Sequence, residues 1–94
     1  MSDRDIDTDT VPDWSPGVRT RHDDVRDRWM ILGPERIVVP EGSGGAIARL
    51  VDGDRSIDDI ITRLVDDYDA DRATIADETI RFLRQLAQQG YLEL

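Results

Sequence analysis

The sequence predicts an α+β domain in which a small antiparallel sheet is followed by three helices. Three observations lead there. Apolar and β-branched residues between Val18 and Val39 come in short runs broken by turn residues. From Ser43 onward apolar residues recur at helical spacing behind residues suited to cap helices. The length, 94 residues, suits one domain. Strands first and helices after place the helices on one face or end of the sheet.

The first 13 residues hold Asp3, Asp5, Asp7, Asp9 and Asp13 against Arg4, a net of −4, and their apolar residues are Met1, Ile6 and Val11. So polar a stretch buries too little to order itself, so residues 1–13 are expected as a disordered acidic tail ahead of a folded domain over residues 14–94. Val18 to His22 alternates loosely and predicts a first strand. Arg28-Trp-Met-Ile-Leu32 is a nearly continuous apolar run, the mark of a strand with little solvent on either face. Gly33-Pro34-Glu35-Arg36 reads as a tight turn, because proline presets the backbone angle of the second turn position. Ile37-Val38-Val39 is a third strand, stopped by Pro40. The last two strands make a hairpin, and the first joins it as a meander.

Ser43 is placed to cap a first helix running to about Val51, with Ile47, Leu50 and Val51 inward and Gly44 and Gly45 weakening its first turn. Asp52-Gly53 ends it. Ser56-Ile-Asp-Asp59 has the spacing of a capping box, and Ile57, Ile60, Ile61, Leu64 and Val65 then form one apolar stripe. Thr74 to Asp77 repeats the pattern and predicts the start of a third helix. That helix carries Ile75, Thr79, Phe82 and Leu86 on one flank, with Ala76, Ile80, Leu83 and Ala87 beside them, a stripe broad enough for two contacts. Gly90 stops it, and Tyr91 to Leu94 closes the chain.

Composition excludes several kinds of chemistry. Acids outnumber bases 21 to 12, a net of −9, which argues against a nucleic-acid binder that needs a basic face. With no cysteine and one histidine there is no disulfide framework, thiolate nucleophile or histidine-pair metal site. No apolar run approaches the roughly 18 residues of a membrane span and no signal pattern opens the chain, so a cytoplasmic protein without membrane contact is expected.

Motifs that imitate active chemistry do not hold. Asp67, Asp69, Asp71 and Glu78 stand at positions 1, 3, 5 and 12 of a calcium loop, but Arg72 occupies the position where the sharp turn needs glycine. The stretch reads better as a solvated interhelical loop. Gly42-Ser-Gly-Gly45 lacks the Lys-Ser or Lys-Thr of a phosphate cradle. His22 beside Asp23 and Asp24 has no nucleophile in a recognisable setting, so neither an enzyme nor a cofactor is expected. A winged helix reading DNA through its last helix is an alternative, but Arg72, Arg81 and Arg84 share that region with Asp71, Asp77 and Glu78.

A third class remains. The strand Ile37-Val38-Val39 lies at the end of the meander, and an edge strand offers unpaired N–H and C=O groups to another chain. A helix with a broad apolar stripe beside it would complete a peptide groove. The competing reading is that the stripe only packs the core and the tail covers the edge.

The chain resembles the PqqD family of pyrroloquinoline quinone biosynthesis in four places: Trp14 to Arg19, Arg28 to Val39, Leu50 to Gly53 followed by Ser56 to Ile60, and Phe82-Leu83 to Gly90-Tyr-Leu92. The resemblance implies a winged-helix-like fold and a non-catalytic peptide chaperone that binds the precursor peptide PqqA and presents it to the radical SAM enzyme PqqE. It implies strand addition between the third strand and third helix, at Ile37, Val38, Val39, Thr79, Phe82, Leu83 and Leu86. The chain departs from the family at Glu78-Thr79, where Asp-Val is common, and at Gly44 and Gly45. A homodimer through the same exposed edge is a further reading that can coexist with peptide binding.

Overall fold

The structure, a computed structural model, describes residues 6–94. Its strands and helices follow in the order β1 (Asp13–Trp14), β2 (Arg19–Asp23), β3 (Arg28–Leu32), β4 (Ile37–Val38), α1 (Gly44–Ala48), α2 (Ile57–Tyr68), α3 (Arg72–Gln88) and β5 (Leu92–Glu93). The antiparallel sheet β2-β3-β4 and the three helices after it match the α+β expectation, for which winged-helix-like is an approximate description. Among the described residues no helix is long and apolar enough to cross a membrane.

The sheet forms where β-branched and apolar runs alternate with turns. The β2–β3 hairpin pairs Arg19 with Leu32 through to Asp23 with Arg28. The Gly33–Arg36 turn closes with the Gly33 N–H donating to the Arg36 carbonyl at 2.9 Å, which sets Leu32 opposite Ile37 and Ile31 opposite Val38. Directly paired residues share a face. Ile31 and Val38 therefore point inward, Ile31 fully buried, whereas Leu32 and Ile37 point out.

The helices complete the core. In α2 the Ser56 hydroxyl accepts from the Asp59 N–H at 3.1 Å and the Asp59 carboxylate accepts from the Ser56 N–H at 3.0 Å, the expected capping box. Ile57, Ile60, Ile61 and Leu64 are buried against Leu83 and Leu86 of α3 and Ile47 of α1. Two helix starts differ from expectation. Ser43 makes no side-chain cap, and its hydroxyl donates instead to Glu78 of α3 at 3.2 Å. Helix α3 starts at Arg72, two residues before Thr74, because the Asp71 carboxylate accepts from the Thr74 N–H at 3.1 Å. An aspartate is as good a cap as a threonine, and here it lies one turn earlier. Helix α1 is also shorter than expected, Leu50 and Val51 lying in tight turns after it.

The largest departure lies at the N-terminal side. Residues 1–5 of the expected acidic tail are outside the described residues. Residues 6–13 are packed: the Thr8 and Thr10 carbonyls accept from the N–H groups of Asp58 and Ile57, both at 2.9 Å, Pro12 is buried, and Ile6 rests on the core. The physical reason is that the first turn of a helix leaves N–H groups without intrahelical partners, and a polar strand of backbone can supply carbonyls without needing apolar side chains. Asp13 and Trp14 then pair with Glu93 and Leu92, so the domain closes on itself through β1 and β5.

Candidate functional site

Strand β4 is an outer strand of its sheet, so one side of its backbone is not paired with β3. Its position follows from Pro34 in the turn before it and Pro40 just beyond it, which keep the strand short. Ile37 is 66% exposed and Val39 37% exposed, whereas Val38 is half-buried with its side chain on the core. Beside β4 an open cavity of about 580 Å³ is lined by Arg36, Ile37 and Val38 on one side and by Gln89 and Tyr91, at the end of α3, on the other.

Helix α3 runs along this space, fixed at its start by Asp71 and at its end by the Gly90 turn, where φ is +85° and the Tyr91 N–H reaches back to the Leu86 carbonyl at 3.0 Å. Midway, half-buried Phe82 packs against Gly44 and the core. A Cβ on Gly44 would stand 2.8 Å from Cβ of Pro40, so Phe82, Gly44 and Pro40 meet just past the end of β4.

The seven expected site residues therefore divide. Ile37, Val38, Val39 and Phe82 keep accessible surface around the β4 edge. Thr79, Leu83 and Leu86 are 0%, 0% and 2% exposed, so they support the groove from beneath instead of lining its surface. The broad stripe of α3 packs the core first, and its margin is left for the groove. Arg36, Gln89 and Tyr91 line the cavity and were outside the expected set. The signal for Tyr91 was an aromatic ring directly after a helix-ending glycine; nothing local marks Gln89.

The other candidate chemistries resolve into structural roles. Asp69 closes α2 in the left-handed conformation, φ +48°, and Asp71 caps α3, so two carboxylates of the calcium-like loop have backbone duties. Arg72 is held by Asp58 and Thr62, and Arg81 by Asp77 at 2.7 Å. His22 sits across the β2–β3 turn, with Nδ1 2.7 Å from Asp24 and Nε2 3.0 Å from Asp27, its ring tilted on Trp29. The hydrogen bond to Asp24 and then that to Asp27 raise the imidazole pKa above its ordinary value, against a smaller desolvation effect. Burial pulls the Asp23 carboxyl up, but the Arg26 and Val25 N–H donors together bring it below the usual range.

Comparison with known proteins places this arrangement. A family model described as Coenzyme PQQ synthesis protein D (PqqD) matches residues 28–92. A PqqA binding protein of Rhodopseudomonas palustris (strain BisB5) is 42% identical over 74 residues, covering 79% of this chain and 72% of the relative. The solution structure of the PqqD part of Methylobacterium extorquens PqqCD, a stand-alone RiPP recognition element, superposes with a TM-score of 0.79 at 35% identity over 100% of both chains. TbiB1 in complex with the TbiA(beta) leader peptide superposes with a TM-score of 0.74 at 25% identity, covering 86% of this chain and 94% of that one. The family match spans the sheet from β3, all three helices and the first residue of β5, the elements that build the groove: the chain belongs to the PqqD family.

Proposed function

We propose that this protein is a non-catalytic, cytoplasmic carrier of the precursor peptide PqqA in pyrroloquinoline quinone biosynthesis. The peptide adds as a strand to the free edge of β4, and the carrier presents it to the radical SAM enzyme PqqE. The observation that carries the reading is the unpaired side of β4 facing an open cavity, with Ile37 and Val39 exposed beside it. Backbone hydrogen bonds to such an edge provide affinity, and neighbouring side chains provide selectivity. Relatives described as PqqA binding proteins and a structural neighbour solved with a leader peptide support the same assignment. Ile37, Val38, Val39 and Phe82 make the direct contacts; Thr79, Leu83 and Leu86 hold α3 at the right distance.

Titration of isotope-labelled protein with synthetic PqqA tests this. Amide shifts concentrated at residues 37–39 and 75–86 are expected. Saturable shifts confined to the β2–β3 turn or to α2 would place the peptide elsewhere, and none at millimolar peptide would end the proposal. The same edge accepts a second copy of the chain, so a dimer that dissociates as peptide is added is compatible with it.

A further inference from the structure

Beyond the β4 edge, a second and separate cavity of about 250 Å³ lies where α1, α2 and α3 converge. Its walls are Ala46 and Ile47 of α1, Leu64 of α2 and Ile75 of α3, with Thr79 at its floor and Tyr68 beside it. Apolar walls alone would be ordinary packing. The hydroxyl of Thr79 is what sets this place apart: Oγ1 is buried, in a residue with 0% exposure, and has no hydrogen-bond partner among the described residues. A buried hydroxyl left without a partner is unfavourable, and a polar group at the floor of an apolar pocket is how such sites fix the orientation of an occupant.

The cavity also lies in line with the groove. Gly42 and Ser43, on its border, follow Pro40 in the chain, and Glu78 on the opposite side is one turn before Phe82. A peptide extended along β4 and continuing past Pro40 and Phe82 therefore reaches it. One exposed hydrogen bond, from Ser43 Oγ to Glu78 Oε2 at 3.2 Å, spans the border between α1 and α3. Breaking so exposed a bond costs little, so α1 and α3 can part far enough for a side chain to meet Oγ1.

We infer that this cavity is a selectivity pocket for one side chain of the bound peptide, a side chain with an apolar body and a hydrogen-bonding atom near its end. Thr79 supplies the polar contact. The inference rests on the peptide-carrier reading above and adds to it a recognition point away from the β4 edge.

Thr79→Val separates this role from a packing role, because it keeps the shape and removes only the hydroxyl. In the free protein the change relieves the unpaired group and raises Tm by about 4 °C or more. For synthetic PqqA it raises Kd about fivefold, the loss of one hydrogen bond. Ala46→Leu, which fills the cavity, weakens binding by about tenfold or more with the circular dichroism spectrum unchanged. Wild-type affinity in both folded variants, while a proline at Val38 or Val39 abolishes binding, overturns the pocket and leaves the β4 reading standing. Unchanged affinity in the folded proline variant overturns the β4 reading and this inference with it.

Discussion

The ring of Phe82 lies so close to Gly44 that a Cβ built on the glycine would stand 2.9 Å from ring atom Cε1. This contact couples the first helix to the third beside the groove. The glycine that weakens α1 by its helix propensity is required by packing: it lets Pro40 and Phe82 close over the helix start.

Gly44→Ala and Gly45→Ala should therefore act in opposite directions. Alanine favours a helix by about 1 kcal/mol over glycine. At Gly45 the new Cβ meets Cβ of Trp29 at 3.5 Å, an ordinary contact, so thermal or urea denaturation should report a gain of up to about 1 kcal/mol. At Gly44 the clash with Pro40 and Phe82 costs about 1–3 kcal/mol, which offsets the propensity and leaves the variant less stable. Equal stability of the two variants would contradict the packing described.

A proline in the free edge should abolish strand addition. Val38→Pro removes a backbone donor and inserts a ring, with the risk of disturbing its pairing with Ile31. Val39→Pro lies outside the paired residues and leaves that ladder intact. Calorimetric titration with synthetic PqqA should give at least a tenfold weaker complex for whichever variant keeps the native circular dichroism spectrum.

Removing residues 1–12 should destabilise the domain even though none of them was expected in the fold. The deletion takes away the carbonyl partners of the Ile57 and Asp58 N–H groups together with buried Pro12. A loss of about 2 kcal/mol is expected, near 1 kcal/mol for each hydrogen bond, measured by urea denaturation. Amide exchange should accelerate most at Ile57 and Asp58.

His22 should make the β2–β3 turn tighter in mild acid. Its pKa is raised in the folded chain, so its contribution is fully present below the ordinary value of 6.5 and is lost as pH rises through the raised value. An NMR titration of the imidazole should give a midpoint above 6.5, and Asp24→Asn should bring it down, since Asp24 is the main cause of the shift. A midpoint insensitive to both Asp24→Asn and Asp27→Asn would remove the clamp from the account.

The groove was legible in part. The β-branched strand and its bounding prolines are local signals, so Ile37, Val38 and Val39 could be placed on an edge from their order in the chain. Phe82 could be placed on the helix facing that edge. Which neighbours of Phe82 reach the surface was not legible, because a stripe as broad as that of α3 has two margins and helical spacing does not say which one the core takes. Thr79, Leu83 and Leu86 went to the core, and Tyr91 and Gln89 came to the cavity from beyond the helix end.

The order of strands and helices, the hairpin turn, the capping box at Ser56 and the membership of a family were all readable along the chain, since each depends on residues within a few positions of one another. Three features were decided only when distant segments met. They are the β1–β5 pairing, the docking of residues 8 and 10 on the start of α2, and the closure of Phe82 over Gly44. Each joins segments through backbone polar groups or through the absence of a side chain. Neither leaves a hydrophobic period in the sequence, so only the folded chain could reveal them.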